Sequence, residues 1–449
     1  MYFQMARLNA KSKQMLFFCL YRILLDVVYI NGVAPTYSYA GFVTEREPII
    51  YIFSWILFLI YAIRLITVES NKPISFSKTV VYTLFLLIYT PFSVLTSNGM
   101  YDYKYLIANN VYWFVLIFFL SFKCKVKLRK LPHFVIGNQK IGENFINIFG
   151  FISLALVLFI SWKYTGFRIN FSILNVYDLR SEAANFNLPT LLRYMFGWTR
   201  IINSIFLCIS LVRGKKLRAF VFFLNQVLSF GIDGMKSSMF ILVLDVFIYV
   251  LYRLRLYKNS YNLLSFGFNL ASIGACLEMV VINTRWFVYL IFYRMEFLPV
   301  HLSSQFYDFF TTHEPDFYRS SFLRWFGAAS PYENINFMIS GLYNGDYSSE
   351  ANNGLISDAI TNMGYAGIII MPIILVLFFR LFDRCSQGIN EYLILTLGVY
   401  CALTLSNMFF LPSLLTGGWL VAMILVLFID REQTDLKNVD NNIVKGKNI

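Results

Sequence analysis

Ten stretches of this 449-residue chain are apolar for long enough to cross a bilayer, which excludes nearly every soluble fold. They fall near 15–32, 49–68, 79–97, 105–122, 145–162, 191–212, 262–282, 356–379, 391–411 and 413–430. Two shorter runs, near 219–232 and 238–252, flank a Gly231-Ile232-Asp233-Gly234-Met235-Lys236 turn. Together these make about twelve spans. Read as a re-entrant hairpin, the short pair still returns the chain to the side it left. With 58% hydrophobic and 14% charged residues, a soluble protein would have to bury almost everything. The expectation is an all-α polytopic membrane protein forming one integral membrane domain over 1–449. The first run continues into Asp26 and Tyr29 with no small-residue cleavage site, so it is read as a retained helix.

Lys and Arg set the orientation. The loops at 1–13, 62–79, 121–140, 211–218, 252–258, 380–388 and 431–449 hold 25 of them, whereas the alternate loops hold ten. The positive-inside rule then puts both termini in the cytoplasm and residues 163–190 and 283–355 outside. The net charge of +13 is accounted for by this bias, and no nucleic-acid partner is expected. Six cysteines are scattered through apolar runs and basic loops, with no CxxC pattern, and the three histidines are too dispersed for a zinc site.

Residues 283–355 are the most informative connection. Long connections inside a packed bundle are usually functional. Of these 73 residues 19 are Phe, Trp or Tyr, and the cations are all arginine. Arginine forks suit phosphate, and amphipathic rings offer flat apolar faces with polar edges. Pro299, Pro315 and Pro331 are expected to break the segment into short helical pieces lying over the bundle as a lid.

The external cations depart from the inside bias and are the candidates for binding an anion. Arg285 and Arg294 are nine residues apart, so a continuous α-helix would turn them to opposite sides. Arg180 lies in the other external loop. Lys236 follows the glycine turn, where backbone amides can approach an anion. Arg193 and Arg200, seven apart, share nearly one helical face. Arg319 belongs to the long segment. For each the alternative is snorkelling to lipid headgroups. Arg22 and Asp26, at i and i+4, read as a structural ion pair. Glu45 and Glu47 could hold a divalent ion, or simply form a solvated turn before Pro48.

Several stretches resemble the Wzy-type polymerases of bacterial O-antigen and capsule. The likeness falls at Tyr177-Asp178-Leu179-Arg180, Gly234-Met235-Lys236-Ser237-Ser238, Arg294-Met295-Glu296-Phe297-Leu298-Pro299 and Asn353-Gly354-Leu355-Ile356-Ser357-Asp358, running on to Asn362-Met363-Gly364-Tyr365-Ala366-Gly367. The resemblance in layout, a dozen spans with two substantial periplasmic loops, covers nearly the whole chain. It implies a metal-independent, cofactor-free, inverting glycosyltransferase of the second GT-C subclass in the bacterial inner membrane, shared with O-antigen ligases and the SEDS peptidoglycan polymerases. Such an enzyme moves a growing glycan from undecaprenyl diphosphate onto a new lipid-linked repeat unit. A separate chain-length regulator is implied as partner.

Carried over, the role of holding the diphosphate falls on Arg180, Arg285 and Arg294. Lys236, Arg193, Arg200 and Arg319 are further candidates for contacting it. Lys236 stands where relatives often have arginine, which removes the bidentate fork there but not the charge. For the acceptor's proton His313 is the first candidate, ahead of His301 and Asp358. The rival readings are an O-antigen ligase, a metal-dependent transferase using Glu45 and Glu47, and a flippase of lipid-linked glycan.

Overall fold

The computed structural model describes residues 10–68, 74–122, 139–168, 179, 181–183, 185–254 and 260–429, with the side chains of 139–141, 236 and 237 left aside. Among the described residues there are helices and turns and no strand. Nine helices among the described residues are long and apolar enough to cross a membrane: α1 (Ala10–Thr36), α2 (Pro48–Thr67), α3 (Phe76–Ser97), α4 (Tyr103–Ser121), α5 (Gly142–Thr165), α6 (Thr190–Val212), α9 (Ser260–Ile282), α12 (Ile356–Cys385) and α14 (Phe410–Phe428). Their outer faces are apolar. Ile49, Ile52, Ile56, Ile60 and Ile63 stand exposed down one side of α2 at helical spacing, a stripe that suits lipid and not water. The chain is an all-helical, multi-pass membrane protein.

The other three expected runs are helical too. α7 (Lys216–Asp233) and α8 (Lys236–Arg253) each carry three charged residues, and α13 (Glu391–Asn407) has only 17 residues. The expectation of about twelve spans therefore meets nine that satisfy both length and apolarity, plus three shorter or more polar helices.

α3 is the axis of one half, buried along its whole length. α1 packs on α9, α3 on α12 and α13, and α4 on α12. The second half gathers α5, α6, α7 and α8, with α6 touching α13 and α14. Its interior is polar. Ser153 Oγ donates to Asn203 Oδ1 at 2.8 Å, and Asn225 Nδ2 reaches the same oxygen at 2.9 Å. Asn203 Nδ2 reaches Gln226 Oε1 at 3.1 Å, and Ser204 Oγ donates to Asp245 at 2.8 Å. Between membrane helices such bonds contribute on the order of 0.6 kcal/mol each, and they also fix which faces meet.

The expected Arg22–Asp26 ion pair is replaced by a wider arrangement. Asp26 pairs with Arg46 and accepts from Asn98 Nδ2 at 3.1 Å. Arg22, fully buried, donates to Ser93 Oγ and Ser54 Oγ at 2.9 Å and lies over the Trp55 ring. On α1 the two side chains serve different neighbours, because α2 and α3 offer hydroxyls on the side that Arg22 faces.

Part of 283–355 packs into the bundle. A π-helix (Val288–Phe297) runs directly into α10 (Leu298–Thr312); the π-helix packs against α1 and α3, and α10 against α4 and α12. Pro299 breaks nothing, because it occupies the first turn of α10, where a missing N–H is tolerated. Pro315 and Pro331 do stand in breaks, and α11 (Ile335–Asn344) follows.

Two further joints hold this segment in place. α12 is kinked at Gly364 (φ 57°, ψ −149°), and the carbonyl of Thr361 left by the kink accepts the Asp316 N–H at 2.7 Å. At the entry to α12, Asn353 Nδ2 donates to the Pro299 carbonyl at 2.7 Å. Gly354 presses against the carbonyls of Leu405 and Met408 so closely that a Cβ would lie 1.9 Å from the first.

Candidate active site

The site is built from the end of α9 upward. Asn283 takes a left-handed conformation (φ 54°) and turns the chain. Beyond the turn, a helix begins at 286 with unpaired N–H groups, as every helix does. Glu278, still on α9, satisfies them. Its carboxylate accepts from Trp286 N at 2.7 Å, Phe287 N at 2.8 Å and Thr284 Oγ1 at 2.9 Å. A negative group at a helix N-terminus is favoured by the aligned peptide dipoles as well. Arg285 is thereby held at the apex of the turn, exposed, its guanidinium without a hydrogen bond or ion pair to any described residue.

The π-helix decides where Arg294 goes. Bonds closing over five residues widen each turn, so less rotation accrues per residue than in an α-helix. Arg285 itself stands in the turn before the helix, so the wider winding acts on residues 288–294 alone. Arg294, half-buried, donates from Nη1 to the Tyr289 hydroxyl at 3.2 Å and lies 5.6 Å over that ring. A cation over a ring face gains about 0.5–1 kcal/mol at such sites.

The tyrosines form one cluster. Tyr37, from the loop after α1, stacks on Tyr293 with ring centroids 3.7 Å apart and planes within 10°. Tyr289 is 6.1 Å from Tyr293 and 6.4 Å from Tyr37. Burial raises the Tyr37 phenol above its ordinary range, and Tyr289 and Tyr39 add to the rise. Arg285 and Arg294 both pull it back. Both guanidinium charges therefore act on the one Tyr37 phenol despite their spacing.

The underside of the same helix is sealed. Glu296 is 1% exposed and accepts a 2.7 Å bond from Tyr21 Oη, with burial pushing the carboxyl well above the carboxylate range. His301, one turn into α10, lies against Phe42 with ring centroids 4.9 Å apart. Burial lowers its pKa to about 4, which makes it a weak proton acceptor.

The other sequence candidates stand elsewhere or are committed. Arg180 lies outside the described residues, as does the side chain of Lys236, which begins α8 after the left-handed Gly234. Arg200 pairs with Asp233 at 2.6 Å, tying α6 to the turn before Lys236. Arg193 donates to the Phe186 carbonyl at 3.2 Å. Arg319 clamps its own loop through Glu314 at 3.0 Å and the carbonyls of Pro315 and Asp316. His313 stacks on Phe309 at 4.0 Å, and its Nδ1 is bonded to the Phe309 carbonyl and Thr312 Oγ1. Asp358 caps Phe410 N at 2.6 Å and accepts from Asn362 at 2.7 Å. Glu45 and Glu47 are exposed in the loop before α2.

Sequence reasoning passed over Glu278 and Tyr37. An acid inside an apolar run was a legible signal for the first. For Tyr37 the only signal was a Tyr-Ser-Tyr triplet in a short loop. No protein-family model matches this chain, and no curated protein or solved structure does so significantly.

Proposed function

We infer that the chain is a glycosyltransferase of the bacterial inner membrane that polymerises lipid-linked oligosaccharide repeat units, with both termini cytoplasmic and its active site on the periplasmic face. The observation that carries this reading is the Arg294 guanidinium lying over Tyr289 in a cluster with Tyr37 and Tyr293, where the charge of Arg285 acts on the same Tyr37 phenol. In the step proposed, an acceptor hydroxyl forms a bond to the anomeric carbon as the bond to the polyprenyl diphosphate breaks, and the hydroxyl proton passes to the departing diphosphate or to water. The electron pair leaves on the diphosphate. Two guanidinium groups meet that charge, Arg285 from the exposed turn and Arg294 from beside Tyr289. His313 and Asp358 are committed to packing and capping, so this reading assigns them no proton transfer.

The resemblance to repeat-unit polymerases described above supplies the substrate: undecaprenyl-diphosphate-linked glycan as donor and acceptor. An O-antigen ligase would use the same donor. Deletion separates the two, since a polymerase deletion leaves single repeats on lipid A and a ligase deletion leaves none. A flippase is the second reading that an observation favours. The buried Asp245 with Asn203, Asn225 and Gln226 puts an ionisable group among amides inside the bundle, as transport paths do.

The test is reconstitution into proteoliposomes with purified lipid-linked repeat units. Wild type is expected to give a ladder of products, lost in Arg285→Ala and Arg294→Ala although both variants insert and fold. Ladders from both variants would overturn the assignment, and flipping without lengthening would favour transport.

A further inference from the structure

We propose that Tyr39 is the platform on which the sugar next to the departing diphosphate stacks. This rests on the diphosphate reading and adds a subsite to it.

In a glycosyl diphosphate the first sugar is one bridging oxygen from phosphorus. Whatever receives that ring must therefore stand beside the groups that hold the phosphates. Within the tyrosine cluster most rings are occupied with one another: Tyr37 is covered by Tyr293, and Tyr289 by Tyr293 and the Arg294 guanidinium. Tyr39 differs. Its ring leans on Tyr37 at 6.2 Å and 57°, yet it is 82% exposed. It acts electrostatically on the same Tyr37 phenol as Arg285 and Arg294. An open aromatic face thus stands two rings away from the Arg294 guanidinium, through Tyr37 and Tyr289, and the apolar C–H face of a pyranose is its natural complement.

The backbone under Tyr39 is fixed. Ser38–Ala40 form a single 3-10 turn closed by Gly41 N bonding Ser38 O at 3.0 Å, and Gly41 (φ +86°) takes the left-handed conformation. The His301 ring of α10 packs on Phe42 at 4.9 Å and lies beside Gly41, so the turn rests on the segment that follows Arg294. A ring held on a short, pinned turn loses little freedom when a ligand stacks on it.

The experiment measures binding of two probes to the full chain in nanodiscs: undecaprenyl diphosphate, and the same lipid bearing one N-acetylglucosamine. Tyr39→Ala is expected to weaken the sugar-bearing probe about three- to tenfold and leave the bare diphosphate unchanged. Tyr39→Phe should restore the difference, since it keeps the face. Because the side chain is exposed, neither variant disturbs packing. Equal weakening of both probes, or no change in either, overturns the platform. The parallel variant Arg294→Ala should weaken both probes. If it weakens neither while Tyr39→Ala still discriminates, the diphosphate reading fails and the sugar platform stands. If wild type binds neither probe, both fail.

Discussion

The Tyr21 hydroxyl donates to the Glu296 carboxyl at 2.7 Å, joining the middle of α1 to the π-helix two residues beyond Arg294. Both side chains are buried. A buried acid with its partner removed bears a desolvation cost of about 1–3 kcal/mol. Tyr21→Phe is therefore expected to lower stability by that amount in a detergent melt and to slow ladder formation, because the π-helix is released from α1. Glu296→Gln keeps shape and hydrogen bonding and should retain most of both. Equal losses in the two variants would remove the positioning role.

Burial holds the Glu296 carboxyl well above its ordinary range, so the folded state keeps a proton that the unfolded chain gives up. The unfolded chain then binds fewer protons than the folded one, and stability falls as pH rises from about 4.3 toward the raised value. His301 has the opposite sign: with its pKa lowered to about 4, it removes stability as pH falls below about 6.5. The comparison of wild type with Glu296→Gln isolates the carboxyl. The variant should gain stability relative to wild type as pH rises, most clearly above about 6.5 where His301 is silent. Parallel stability–pH curves would contradict this.

Glu278 fixes the turn that presents Arg285, through two backbone N–H groups and Thr284. Loss of a helix cap costs about 1 kcal/mol, modest against a whole bundle. Glu278→Ala should therefore fold but show activity reduced about tenfold or more, since Arg285 is no longer held. Full activity in reconstituted vesicles would show that the turn keeps its shape without the cap.

Gly354 admits no side chain: a Cβ would stand 1.9 Å from the Leu405 carbonyl and 2.6 Å from that of Met408. Gly354→Ala must push the entry of α12 away from the end of α13, at a cost of about 1–3 kcal/mol or more. A lowered melting temperature is expected, with the loss felt at Asn353, which holds the Pro299 carbonyl. An unchanged melt would place slack in that joint.

The runs of apolar residues were legible because membrane-spanning helices announce themselves through length and composition, and Ala10–Thr36 or Ile356–Cys385 could hardly be read otherwise. The departure of Arg285 and Arg294 from the charge bias was legible in the sequence. Their action on one phenol was not, because the two are nine residues apart and no residue in Val288–Phe297 signals the wider winding. It follows from packing against α1 and α3, which lies outside any local pattern. Arg200 was read by its face on α6, but its partner Asp233 lies 33 residues away on another helix. Pro299 was read as a break because a proline looks the same in sequence whether it stops a helix or opens one.

The most direct test of the central claim is a double-mutant cycle on ladder formation with Arg285→Ala, Arg294→Ala and the pair. If both guanidinium groups meet one diphosphate, each single loss should be about 10²-fold, and the double loss should fall well short of the product. Losses that multiply would mean the two residues act on separate groups, and unimpaired single variants would end the account.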